Sequence, residues 1–173
     1  GRVAGVPMEP RGCLAIPEQS DSIAFYTSTQ IPHLVREGLA QHLGRSEACI
    51  RVIVPDVGGG FGTKAQMYPE EVVAAALCFK LRRPVKWTQD RREELLTNIH
   101  ARDHIYDIEV SFTDEGVITG LRLELHTNAG AYSTFPFGCT LETTGGARMI
   151  VGPYRIKTYA YTSWSVATNT CPA

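Results

Sequence analysis

Apolar and polar residues alternate strictly in two neighbouring segments of the chain, and this pattern predicts a β-hairpin. Residues 104–112 read HIYDIEVSF and residues 121–126 read LRLELH, with the turn sequence TDEG between them. The apolar positions are Tyr106, Ile108, Val110 and Phe112 in the first arm, and Leu121, Leu123 and Leu125 in the second. Because successive side chains of a strand point to opposite faces, we expect one buried and one wet face on both arms.

Apolar residues at a spacing of four predict two helices, and a capping motif predicts a third. The first helix covers residues 32–43, and the second covers residues 69–83. A short third helix covers residues 90–98, since Asp90 and Glu93 have the spacing of a capping box. The apolar stripe expected on the second helix comprises Val73, Leu77 and Leu81.

Further strands are predicted in CLAIPEQSDSIAFYTSTQ, CIRVIVPDV, PVKWTQ and YRIKTYAYTSW. The order of elements predicts an α+β fold, with a mixed β-sheet, two to three packed helices and the hairpin. A length of 173 residues is that of one domain, so we expect a single domain over residues 1–173.

Composition narrows the possible partners. The net charge of −1 argues against binding to nucleic acid or to an anionic membrane surface, since both select for excess Lys and Arg. No apolar segment approaches the ~20 residues that a membrane span needs. The five cysteines are odd in number and widely spaced, which is typical of reduced thiols in a cytoplasmic protein.

The segment VPDVGGGFGTKAQMYPEE places four glycines within five positions, between a predicted strand and a predicted helix. It is not a Walker A loop, because Thr63 precedes Lys64 and Ala65 follows it. It is not a dinucleotide fingerprint either, because the third glycine and the later acidic residue are both missing. A glycine-rich backbone can still present several N–H groups to an anion, although a turn tightened for packing is the alternative. Phe61 favours the first interpretation, since a bulky ring suits the wall of a pocket.

This loop and the segments around it, taken together, are far more specific than any one of them. In order along the chain, the others are PMEPRG, YTSTQIPH, RPVKWTQDRREE, HARDH, NAGAY, GPYRI and TNTCPA. The set resembles the large subunit of the molybdenum hydroxylases, the family of xanthine dehydrogenase, aldehyde oxidase and aerobic carbon monoxide dehydrogenase. The bacterial large chains of the carbon monoxide dehydrogenase type are the most similar branch. The resemblance runs from end to end and corresponds to the first part of the molybdopterin-binding region, truncated at both ends.

The resemblance implies that the loop lies against a molybdenum centre. The cofactor-binding roles fall on Gly59, Gly60, Phe61 and Gly62, with backbone N–H groups facing an oxygen ligand of the metal and the phenylalanine ring beside the substrate. No residue of this chain is expected to ligate a metal, and the catalytic base is expected outside it. Ala65 stands where purine-oxidising members carry glutamate, which disfavours purines as substrates.

The implied reaction is hydroxylation of aldehydes or N-heterocycles with oxygen from water, or oxidation of CO. The implied cofactor is molybdopterin in its cytosine dinucleotide form, with copper added in the CO-oxidising branch. The implied partners are the remainder of the large subunit, iron–sulfur and FAD subunits, and a small-molecule substrate. The alternative is a non-catalytic anion-binding or interaction module with the same fold.

Two or three N–H bonds to an anion contribute about 3–9 kcal/mol, against an association cost of about 4–15 kcal/mol. We therefore expect the isolated fragment to bind no cofactor and to be inactive.

Other polar residues have simpler interpretations. His100 and His104 have the spacing of helical metal ligands but run into a predicted strand, where that spacing does not converge. Glu9 is expected to form a structural ion pair with a neighbour such as Arg11. Lys64 is expected to make a structural contact.

Overall fold

The described chain forms two compact units, each with its own sheet. A computed structural model describes residues 1–101 and 103–173, so Arg102 of the HARDH segment lies outside the described residues. The part that we call the loop unit comprises Ala4–Asn98 and Thr134–Pro136. The part that we call the hairpin unit comprises Gly1–Val3, Ile99–Ser133 and Phe137–Ala173.

The loop unit contains a four-stranded mixed sheet and three helices. The chain begins with a two-residue strand, β1 at Val3–Ala4, which is not part of this sheet. The strands of the sheet are β2 Gly12–Pro17, β3 Ile23–Thr27, β4 Ile50–Ile53 and β5 Val85–Thr88. Its helices are α1 Pro32–Leu43, α2 Pro69–Leu81 and α3 Arg91–Thr97, with a 3₁₀ turn at Glu47–Cys49. The strand order is β4-β3-β2-β5, in which β3 and β4 are parallel and the other pairs antiparallel. All three predicted helices are therefore confirmed; α1 has the predicted ends, and the ends of α2 and α3 differ by at most two residues.

Capping residues explain where the helices of this unit begin and end. Gly44 ends α1 in the left-handed conformation, and its φ of 61° is one that glycine adopts without strain. Asp90 caps α3 by accepting a hydrogen bond from the Glu93 backbone N–H at 2.7 Å, while the Glu93 carboxylate accepts from the Asp90 N–H at 2.9 Å. This reciprocal pair is the predicted capping box.

The predicted apolar stripe of α2 is not the buried face of that helix. Val73 and Leu81 are each 55% exposed and Leu77 is 39% exposed. The buried positions are instead Glu71, Ala74, Ala75, Cys78 and Phe79. Small side chains let the helix lie close to the sheet, so the prediction of the stripe as the packing face was wrong.

The hairpin unit contains a three-stranded sheet with one helix packed on it. Its elements are β6 His100–Ala101, β7 His104–Phe112, β8 Ile118–Gly130, α4 Thr140–Met149 and β9 Thr158–Ala167. Strands β7 and β8 pair antiparallel, which confirms the predicted hairpin, and β9 lies parallel to β8 on its other side. The sequence did not predict α4.

Burial in the hairpin is less symmetrical than its alternation predicts. Leu123 and Leu125 of β8 are fully buried and form the core of this unit with Ala147 of α4. The apolar side chains of β7 are exposed, with Phe112 at 69%. The expectation of one buried face on both arms is therefore correct for these leucines and wrong for β7. Since both units combine helices with mixed sheets, the α+β prediction is confirmed.

Candidate functional site

The glycine-rich loop, residues 58–62, lies at the surface of the loop unit between β4 and α2. The Phe61 side chain is 77% exposed. Gly59 and Gly62 have φ values of 97° and 88°, and Phe61 itself has a φ of 51°. Positive φ is rare for a bulky residue and accumulates at functional sites. The backbone here follows a path that an ordinary turn sequence would not adopt.

The ends of this loop are held by side chains, whereas its middle is not. The Gly58 N–H donates to Glu9 Oε2 at 2.8 Å, and the Gly62 N–H donates to Gln30 Oε1 at 3.1 Å. The N–H groups of Gly59, Gly60 and Phe61 have no acceptor among the described residues. Three consecutive amides are thus free to receive an external oxygen.

Two of these glycines are needed because neighbouring side chains occupy the space of a Cβ atom. A Cβ at Gly58 would lie 2.6 Å from Glu9 Cβ, and one at Gly60 would lie 2.4 Å from Gln30 Oε1. Neither distance is compatible with real Cβ contacts, so the loop and the two side chains fit each other only while both positions are glycine.

A partly buried ion pair supports the loop. The Lys64 side chain is fully buried, and its Nζ donates to Glu9 Oε2 at 2.7 Å. The same carboxylate oxygen accepts from Ser28 Oγ at 2.7 Å. The Lys64 carbonyl oxygen accepts from the Gln30 N–H at 2.9 Å. Lys64 therefore connects the two residues that hold the ends of the loop, which agrees with a structural contact.

The expected Glu9–Arg11 pair is absent because both groups have other partners. Arg11 Nη1 contacts Glu70 Oε2 at 3.4 Å, and its guanidinium carbon lies 3.5 Å from the centre of the Tyr68 ring. Arg11 is itself buried and also donates to Asn98 Oδ1 at 2.9 Å. Glu9 is paired with Lys64 instead, so that prediction was right about a structural ion pair and wrong about the partner.

The surroundings of Glu9 favour its charged form. Burial alone would raise its pKa, but hydrogen bonds from Lys64, Gly58 and Ser28 outweigh burial and hold the pKa below its usual value of 4.5. An ionised Glu9 therefore stabilises the folded state above pH 4.5, and this contribution is lost as the pH falls through the lower pKa of the folded protein.

This linkage gives a pH prediction. In the double variant Glu9→Gln/Lys64→Met neither member of the pair titrates in acid, so its free energy of unfolding should fall less than that of the wild type between about pH 7 and about pH 4. Chemical denaturation at both pH values measures the difference. The single variant Glu47→Gln, at the exposed pair with Arg36, is the matched control. Identical acid dependence in the wild type and the double variant would contradict the stated pKa shift.

An open cavity of about 280 Å³ lies beside the ion pair in the same unit. Glu9, Ser28, Tyr26, Trp87 and Lys86 contribute to its lining, whereas residues 58–62 do not. The free amides therefore do not belong to this cavity. Among the described residues, no group of three or more His, Cys, Asp or Glu side chains is placed to hold a metal ion.

The structure brings three of the four predicted cofactor-binding residues together as free donors. Gly59, Gly60 and Phe61 present their amides, while the amide of Gly62 is already bonded to Gln30. Sequence reasoning assigned no role to Gln30, although it lies in the YTSTQIPH segment. Its contact with the loop spans 32 residues of sequence and leaves no periodic signal.

The cysteines are free thiols in the structure, as the sequence predicts. All five cysteines are free, and burial raises the pKa of Cys13 to about 12. Cys13 and Cys78 are buried and the other three are partly exposed.

No helix in the described ranges has the length and apolarity that crossing a bilayer requires.

Comparison with known proteins gives the same family over the whole chain. The family model of the molybdopterin cofactor-binding domain matches residues 1–173. The nicotine 6-hydroxylase large subunit of Paenarthrobacter nicotinovorans is 41% identical over 99% of this chain and 21% of its own length. The carbon monoxide dehydrogenase large chain of Hydrogenophaga pseudoflava is 41% identical over 76% of this chain and 16% of its own length.

Solved structures show the same relationship. The crystal structure of quinoline 2-oxidoreductase from Pseudomonas putida 86 matches with a TM-score of 0.92 and 38% identity, over 99% of this chain and 22% of that one. The chain thus spans about a fifth of the length of these relatives.

Proposed function

Because the chain belongs to the molybdopterin cofactor-binding domain family, we propose that it forms the cofactor-contacting part of the large subunit of a molybdenum-dependent oxidoreductase. The observation that carries this proposal is the run of three free amides at Gly59, Gly60 and Phe61. In this proposal residues 1–173 are one cofactor-binding subdomain of a longer subunit, truncated at both ends. The relatives' greater length supports it.

The residues present fit an oxygen ligand of such a cofactor. Backbone N–H groups are fixed donors for an anionic oxygen, and each such bond contributes about 1.5–3 kcal/mol. Gly59 and Gly60 allow close approach, and the exposed Phe61 ring is placed to wall the substrate side of the site. When bound, the cofactor would supply the redox centre at which the substrate is oxidised.

Three such bonds contribute about 4.5–9 kcal/mol, which does not reliably exceed an association cost of about 4–15 kcal/mol. The remainder of the large subunit is therefore required to hold the cofactor, and the isolated chain should be inactive.

The substrate that we favour is an N-heteroaromatic compound. The relative named for nicotine matches 99% of this chain, whereas the carbon monoxide dehydrogenase chain of equal identity matches 76%. The quinoline 2-oxidoreductase structure matches with 38% identity and a TM-score of 0.92, whereas that of a CO dehydrogenase matches with 30% and 0.83. Nicotine and quinoline both contain an aromatic ring nitrogen, which leaves the neighbouring carbon electron-poor. Aldehydes and CO are the other candidate substrates, and copper would accompany CO alone.

The same proposal includes iron–sulfur and FAD subunits that remove electrons, the cytosine dinucleotide form of the cofactor, and a cytoplasmic location. Relatives named as a large subunit, a large chain and a subunit of a complex support an assembly of several chains.

The test is to express the complete gene together with its neighbours, purify the complex, and measure molybdenum, copper and released pterin nucleotide. Turnover is then compared for quinoline, an aldehyde and CO with an artificial electron acceptor. We expect about one molybdenum atom per large subunit and the fastest turnover with quinoline. A folded complex that contains no molybdenum but still binds anions would instead support the non-catalytic module.

A further inference from the structure

Glu9 is bonded to the first glycine of the loop in two directions. Its Oε2 accepts from the Gly58 N–H at 2.8 Å, and its own N–H donates to the Gly58 carbonyl oxygen at 3.2 Å. The Cβ atom of Glu9 also occupies the space beside Gly58 Cα that a side chain would need. The position of Gly58 is therefore set by Glu9, and the three free amides begin at the next residue.

A carboxylate so close to free amides creates an electrostatic problem, because it would repel any anionic oxygen that these amides receive. Lys64 offsets this repulsion, since its fully buried ammonium group lies 2.7 Å from Glu9 Oε2. Ser28 Oγ donates to the same oxygen. The pair is neutral as a unit and still provides a strong acceptor for the Gly58 N–H.

We propose that Glu9 is a positioning residue for the site, and that Lys64 is the counter-ion that allows it to orient the loop without repelling the ligand. The inference rests on the proposed function of the loop and goes beyond it, because it assigns a role to two side chains outside residues 58–62. The competing explanation is that the pair contributes only to folding stability.

Two double variants separate positioning from stability. Glu9→Gln/Lys64→Met and Glu9→Met/Lys64→Met both remove the ion pair, and neither leaves an unpaired buried charge. Only the glutamine variant retains an acceptor for the Gly58 N–H. Both are made in the complete large subunit, expressed with its partner subunits.

The readouts are thermal stability, molybdenum content, kcat, and the electron paramagnetic resonance spectrum of the molybdenum(V) state. We expect the glutamine variant to resemble the wild type in its spectrum and to lose less than about tenfold in kcat. The methionine variant should have a shifted spectrum and a kcat lower by about 10²-fold, as expected for a misplacement of about 1 Å. Similar thermal stability of the two variants would show that folding is not the cause.

Several results would overturn the inference. Identical spectra and kcat for the two double variants would show that the Gly58 acceptor is not needed. If the methionine variant does not fold, Gly58→Ala tests the same point, because it retains both charged side chains and separates the loop from Glu9 by placing a Cβ 2.6 Å from Glu9 Cβ. A wild-type spectrum and kcat in Gly58→Ala would then also overturn it. Absence of molybdenum from the wild-type complex would reject the proposed function itself, which is a different outcome.

Discussion

Substitution of Gly60 by alanine in the complete large subunit should lower kcat by about 10²-fold, the loss expected when the groups of a site are misplaced by about 1 Å. The added Cβ would lie 2.4 Å from Gln30 Oε1 and 2.8 Å from Gln30 Cγ. Gln30 must then move away from the Gly62 N–H, which releases the end of the loop that this hydrogen bond holds. Steady-state kinetics and molybdenum content measure the effect.

The matched control for Gly60→Ala is Gly12→Ala in the same unit. A Cβ at Gly12 meets its nearest atom, the Trp87 carbonyl oxygen, at an ordinary 3.5 Å. Its thermal stability and kcat should remain near those of the wild type. Wild-type kcat in Gly60→Ala would show that the loop does not contact the reacting centre.

The largest loss of stability should come from Gly130→Ala in the hairpin unit. Gly130 has a φ of 79°, and a Cβ there would lie 2.2 Å from the Cys171 carbonyl oxygen and 2.6 Å from Pro172 Cα. Left-handed strain costs about 1–2 kcal/mol, and overpacking against rigid backbone adds about 1–3 kcal/mol. We therefore expect the free energy of unfolding to fall by about 2–5 kcal/mol, measured by chemical denaturation.

Gly145→Ala in the same unit should instead raise the free energy of unfolding. Gly145 lies within α4, and apart from the adjacent residues and the backbone of its own helix no atom lies within 4 Å of its Cβ position. Alanine in a helix interior is more stable than glycine by about 0.5–1 kcal/mol. Equal stability of Gly130→Ala and Gly145→Ala would contradict the close backbone approach at Gly130.

Sequence periodicity predicted the helices and the hairpin well, because their signals are local. Pro32, Pro69 and the capping box at Asp90 are helix-start chemistry that needs no tertiary information. Which face is buried is a tertiary property. Helix α2 is apolar on several sides, so its spacing alone could not show that Ala74, Ala75 and Cys78 are the residues that face the sheet.

Helix α4 was missed because its own sequence disfavours it. Its ten residues, TLETTGGARM, include three threonines and two adjacent glycines, which are poor helix formers. Packing of Ala147 against Leu123 and Leu125 of β8 supplies the stabilisation that local propensity does not. Stabilisation of this kind comes from contacts between residues more than twenty positions apart in the sequence. A short window of sequence does not contain both partners.

In the candidate site, too, the local features could be predicted from the sequence and the long-range contacts could not. The loop was recognisable from glycine spacing and from Phe61, whereas its supports were not, since Glu9 and Gln30 are 49 and 32 residues from their glycine partners. The sequence also could not distinguish Gly62, whose amide is occupied, from its neighbours.

Full enclosure of Lys64 also makes the loop less sensitive to dissolved electrolyte. Counter-ions screen charges that water reaches, over a Debye length of about 10 Å at 0.1 M, but they act less on a pair whose ammonium group has no contact with water. The Arg36–Glu47 pair, in which both side chains are exposed, should therefore weaken more in concentrated salt than the Glu9–Lys64 pair. The support for Gly58 should then persist at salt concentrations that already loosen ion pairs elsewhere on the surface.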